Sequence, residues 1–147
     1  MLTKTVLLSL VMVVLLWAAV TPGTAKQQYY PVGTVSIDMT SVAVGIGFSS
    51  GSGVLRFNGE RYLFQIDGLS VGNVGYASIS AVGNVYNLTD VSQFAGNYAA
   101  LGAGVALAGG GAGLTMQNQR GVIINLNAVQ QGVELNIGPQ GFNITMQ

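Results

Sequence analysis

Read two residues at a time, residues 98–116 (YAALGAGVALAGGGAGLTM) sort by size. Leu101, Ala103, Val105 and Leu107 fall on one parity; Ala100, Gly102, Gly104, Ala106 and Ala108 fall on the other. Successive side chains of a strand point to opposite faces of a sheet, so an extended chain here has one bulky face and one nearly bare face. Gly109, Gly110 and Gly111 interrupt the run before Ala112, Leu114 and Met116 resume it. The spacing predicts two long neighbouring strands joined at those glycines. Val42, Val44, Ile46 and Phe48, alternating with Ala43, Gly45 and Gly47, repeat the split. A bare face implies either close packing, with small residues making room for large ones opposite, or an apolar-ligand lining made of Gly45, Gly47, Gly102, Gly104 and Ala106.

The same period runs through most of the chain. Val35, Ile37 and Met39 alternate with Ser36 and Asp38. Asn58-Gly59 separates two alternating runs, the signature of a two-residue type I′ hairpin. That turn sets Phe57 opposite Glu60, Arg56 opposite Arg61 and Leu55 opposite Tyr62. Leu55, Phe57, Tyr62, Phe64 and Ile66 then share an apolar face, while Arg56, Arg61, Gln65 and Asp67 share a wet one. Residues 49–53 (SSGSG) and 68–72 read as turns, and residues 74–86 as a strand with bends at Gly75 and Gly83. Asp90 followed by Gln93 is a capping box and predicts one or two helical turns closed by Gly96. Leu88, Val91 and Phe94 on that turn are placed to plug one end of the sheet. The segments beginning at Gly121, Gly132 and Gly141 are similar alternating units, as in a β meander. Nine or ten strands with short connections predict an all-β fold: a small antiparallel up-and-down barrel, with a sandwich as the alternative.

Lys4, an apolar run over residues 6–20, and the small residues Gly23, Thr24 and Ala25 form a secretory signal pattern with cleavage after Ala25. The alternative is a retained anchor, but a run of 15 residues falls short of the roughly 20 a spanning helix needs. The division expected is a signal peptide at 1–25, a leader at 26–33 and a barrel domain at 34–147. Past residue 25 the chain carries four basic residues (Lys26, Arg56, Arg61, Arg120) and five acidic ones (Asp38, Glu60, Asp67, Asp90, Glu134), a net charge of −1. Nothing in that balance favours nucleic acid. The chain has no histidine and no cysteine, which removes the commonest general base and metal ligand and leaves an exported domain to be held by its core. The glycine runs supply neither GxGxxG nor a following Lys-Ser or Lys-Thr, no serine sits in GxSxG, and the five acids fall on scattered positions. No catalytic residue, metal ligand or cofactor is expected.

Three stretches carry a family resemblance: GVLRFNGERYLFQIDGLSVG, VYNLTDVSQFAGNYAALGAG and NQRGVIINLNAVQQGVELNIGPQG. They resemble a group of small exported proteobacterial proteins of unknown function. More distantly they resemble the alphaproteobacterial envelope integrity protein A family, a small β-barrel, and the glycine-rich strands resemble the lipid-binding SYLF domain. The resemblance rests on strand patterns and glycines, so it implies no site residues. It implies a periplasmic, non-catalytic barrel of the cell envelope. The function expected is binding of an envelope component, with two alternatives: a carrier of lipid or another apolar ligand, or a small outer-membrane barrel. The expected compartment is the periplasm, with the outer membrane or secretion as alternatives. Membrane association is compatible with this reading, and the sequence leaves the oligomeric state open.

Overall fold

Strands dominate the computed structural model, which describes residues 28–40, 47–72, 78–101, 106–108, 113–138 and 141–147. The signal peptide, the first two leader residues (Lys26 and Gln27), Val42 to Ile46, Gly75 and Gly109 to Gly111 lie outside the described residues. The strands are β1 (Gln28–Tyr29), β2 (Pro31–Thr40), β3 (Gly47–Phe57), β4 (Glu60–Gly72), β5 (Ser78–Tyr86), β6 (Gly96–Ala100), β7 (Ala106–Leu107), β8 (Leu114–Asn118), β9 (Ile123–Ala128), β10 (Glu134–Ile137) and β11 (Phe142–Met146). One 3-10 turn, Val91–Gln93, separates β5 from β6.

Eight strands close on themselves in the order β5-β2-β3-β4-β11-β6-β8-β9, every pairing antiparallel, and β10 adds a ninth strand beside β4. The all-β closed barrel is as expected, and strand direction alternates up and down around it. Spatial order does not follow the chain. After the β2-β3-β4 meander, β5 returns beside β2; after β6-β8-β9, β11 returns beside β6. Each set of four has the 4-1-2-3 arrangement of a Greek key, so the wall is two such keys placed side by side.

The Asn58-Gly59 hairpin has the expected register: Phe57 pairs with Glu60, Arg56 with Arg61 and Leu55 with Tyr62. Both turn residues have positive φ (52° and 77°), as type I′ requires. Two expected turns are instead strand. Residues 49–53 lie inside β3, whose ladder shifts register between Ser49 and Gly51. Residues 68–72 complete β4, with Gly68 (φ 87°) at a kink where β10 ends and β11 begins along the same edge. There the N–H of Gly138 donates to the carbonyl of Gly68 at 2.8 Å. These glycines mark bulges and close backbone approaches rather than reversals.

The two long strands expected over residues 98–116 are also shorter. β6 and β8 are neighbours, Tyr98 opposite Asn118 and Ala100 opposite Met116. β7, however, leaves that ladder and pairs in parallel with β1, Ala106 opposite Gln28.

Inward positions hold the core: Val35, Ile37, Met39, Leu55, Phe64, Ile66, Leu69, Ile79, Val85, Met116, Leu126 and Ile144 are all buried. β9 departs from alternation. Val122, Ile124 and Leu126 join that core, while the outward Ile123 and Asn125 are buried as well. Ile123 pairs with Tyr86, itself fully buried and outside the core cluster, and the Tyr86 hydroxyl donates to the Ala108 carbonyl at 2.9 Å. Ala108, just past β7, therefore lies against the outer wall at Tyr86.

Candidate functional site

The bare-face lining expected from the sequence is only partly described. Gly45, Gly102 and Gly104 lie outside the described residues. Gly47 opens β3 opposite Val71, and Ala106 sits in the β1–β7 pair. A different glycine shows what a small inward residue does here. A Cβ on Gly53 would run into the Phe64 ring and come within 2.8 Å of the Ser36 carbonyl. Gly53 is small because Phe64 occupies the space above it.

One end of the barrel is plugged. Asp90 caps the 3-10 turn: its Oδ1 accepts from the Ser92 N–H at 2.9 Å and the Ser92 hydroxyl at 2.8 Å, while Gln93 Oε1 accepts from the Asp90 N–H. These two bonds from Ser92 hold the Asp90 carboxyl below its ordinary value. Leu88 and Phe94 enter the core and Val91 is half-buried. Phe94 sits edge-on to Phe64 (5.1 Å between centroids) and to Tyr98 (6.4 Å), and Tyr98 edge-on to Phe142 (6.0 Å), a favoured arrangement of ring quadrupoles. The Tyr98 hydroxyl donates to the Phe94 carbonyl at 2.6 Å. Burial raises its pKa, with the Asn118 amide and Arg120 pulling the other way. Asn118, which the sequence reading overlooked, pins the β8–β9 turn to the plug. Its Nδ2 donates to the Gln93 carbonyl at 2.7 Å, and its Oδ1 accepts from the N–H groups of Arg120 and Val122, both at 3.0 Å. Arg120 Nη1 then donates to the Ser92 carbonyl at 2.6 Å.

The outer wall offers the accessible chemistry. Cross-strand register places outward side chains in rows over β4, β3, β2, β5 and β9. One row reads Arg61, Arg56, Thr34, Asn84, Asn125; the next reads Leu63, Val54, Ser36, Val82, Asn127; a third reads Gln65, Ser52, Asp38, Ser80. Two open grooves of about 400 Å³ cross this wall. One spans Thr34, Ser36, Val54, Arg56, Val82 and Asn84. The other is lined by Asp38, Ser52, Gln65, Asp67, Asn143 and Thr145, and Asp38 there accepts from the Ser80 hydroxyl at 2.7 Å. Among the described residues, no three His, Cys, Asp or Glu side chains gather as a metal site would need. Set beside known proteins, this chain matches no protein-family model, no curated protein and no solved structure.

Proposed function

We propose that this is an exported, non-enzymatic barrel of the cell envelope that works by binding an envelope component on its outer wall. The observation that carries the reading is the inside-out contrast of the wall. Inward positions are filled by apolar side chains, while outward positions present Thr34, Ser36, Asp38, Ser52, Arg56, Arg61, Gln65, Asp67, Asn143 and Thr145 to solvent. A membrane-spanning barrel needs an apolar band outside; the Leu63, Val54 and Val82 row is bordered on both sides by polar rows, and that narrowness weighs against the alternative. A carrier needs an empty interior; the described interior holds Phe64, Phe94, Tyr98, Met116 and Phe142 at zero exposure, which weighs against an enclosed lipid. The signal pattern at 1–25 supplies the route out of the cytoplasm.

The test is release followed by binding. Osmotic shock without detergent should release the protein. The purified protein should then bind isolated envelope fragments saturably, in competition with unlabelled protein. Retention until detergent is added, or binding that never saturates, overturns the proposal.

A further inference from the structure

We propose that the Arg56–Arg61 pair and the groove beside it form a binding site for a sugar phosphate. The inference rests on the reading of the outer wall as a binding surface and names the chemistry one part of it takes. Arg56 and Arg61 are directly opposed across β3 and β4. The flanking Phe57–Glu60 pair closes the two-residue turn, so the arginines fall in the next, non-hydrogen-bonded pair, the closer kind, with Cα atoms about 4.5 Å apart. Both are exposed, and like charges directly opposite destabilise a sheet.

No side-chain carboxylate pairs with them among the described residues. Glu60 has the opposite parity and accepts from the Tyr62 hydroxyl at 2.7 Å. Asp67, on the arginine face, is six residues along β4, about 20 Å away at the rise of a strand. Asp38 is four residues beyond Thr34, about 13 Å by the same rise, and accepts from Ser80. Two adjacent guanidiniums match a phosphate monoester, which carries roughly −1.5 to −2 near neutral pH and accepts forked hydrogen bonds.

The second half of the site is the groove that starts at Arg56. Thr34 lies beside Arg56 on β2 and Asn84 beside Thr34 on β5, so a hydroxyl and an amide follow the guanidinium in one row. Ser36 follows in the next row, flanked by Val54 and Val82. A row of hydroxyl and amide groups beside two short aliphatic side chains suits a sugar ring, whose hydroxyls hydrogen-bond while its C–H face rests on valine.

The test uses backbone-amide NMR on the purified protein, titrated with glucose 1-phosphate, glucose and inorganic phosphate. Millimolar glucose 1-phosphate should move the amides of Thr34, Ser36, Arg56, Arg61 and Asn84. Glucose should leave them in place, and inorganic phosphate should bind more weakly and move only the arginine end. The Arg56→Gln/Arg61→Gln double variant should keep the native spectrum and lose affinity roughly tenfold or more, the scale of charge-assisted bonds. Absence of these shifts, or equal affinity in the double variant, overturns the site; phosphate binding as tightly as glucose 1-phosphate overturns the sugar half. If the wild-type protein binds envelope fragments saturably but not glucose 1-phosphate, the site is wrong and the broader proposal stands. If both bindings fail, both are wrong.

Discussion

At one end of the barrel the strands are joined by residues 58–59, 87–95 and 119–122, and each joint is fixed by its own hydrogen bonds or turn geometry. At the other end β2, β4, β6 and β9 stop at Thr40, Gly72, Ala100 and Ala128, and the chain re-enters the wall at Gly47, Ser78, Leu114 and Phe142, with 13 residues intervening in each of the last two cases. The first end is where β4, the 3-10 turn and β6 meet through Phe64, Phe94 and Tyr98, and Tyr98 carries the contact inward to Phe142 of β11. At the second end β10 meets β4 through Gly68 and its bulge. A barrel of this size is thus anchored from one end. Local codes build the plug, and the plug brings together strands that are distant in sequence.

The largest expected effect breaks that anchor. Phe94 is fully buried and touches two aromatic rings, so Phe94→Ala should destabilise by about 3–5 kcal/mol, the range for emptying a buried aromatic site. Urea unfolding measures it. A loss below about 1 kcal/mol, the level of a surface change, would show that the two ends are equally important.

The same contrast explains how much could be read from the chain. The plug end was legible because its signals are short: Asn58-Gly59 fixed the register of three cross-strand pairs, and Asp90 with Gln93 marked the turn. The other end was not, because its glycines are ambiguous. In β3, Gly51 sits where a Cβ would come within 2.9 Å of the Met39 side chain, a contact with β2 that no local pattern announces. Gly68 looked like a turn and is a kink serving β10 and β11, some 70 residues on. The Greek-key crossings, and the Tyr86 hydroxyl's bond to Ala108, depend on long-range pairing. Alternation therefore identified the wall of the barrel without its order. Of the candidate lining, only Gly47 and Ala106 fall among the described residues, and the Arg56–Arg61 pair was visible as a register without a ligand chemistry.

A matched pair of glycine substitutions sharpens the comparison. Gly53→Ala pushes a methyl into Phe64 and should cost about 1–3 kcal/mol, as overpacking does. Gly132, just before β10, has φ 80° and open space where a Cβ would sit. Gly132→Asn should change stability by less than about 0.5 kcal/mol, because asparagine tolerates the left-handed region and the site is exposed. Thermal melting of the two variants checks this; equal losses would mean that Gly53 is not a packing glycine.

Alkaline pH probes the plug through Tyr98. Its folded pKa is raised above the ordinary 10 by burial, so the native state holds its proton where the unfolded chain has released it. The unfolded state then binds fewer protons, and stability falls as pH rises above about 10. Tyr98→Phe should cost about 1 kcal/mol at neutral pH, the typical net worth of a lost hydrogen bond, and should flatten the alkaline decline. A decline of unchanged slope in the variant would place its cause elsewhere.

The smallest effect is at the cap. Asp90 has a folded pKa below the ordinary 3.8 because the Ser92 N–H and hydroxyl bond its ionised form. Its contribution is present above the unfolded value and disappears as pH falls through that value to the folded one, since the unfolded chain takes up the proton first. Asparagine at this position keeps an acceptor for the Ser92 N–H and does not titrate. Asp90→Asn should therefore be slightly less stable than the wild type at neutral pH and converge with it in acid. Because the carboxyl is exposed, added salt should shrink the neutral-pH difference further. A gap that widens below pH 4 would mean that the cap is held by something other than the charge on Asp90.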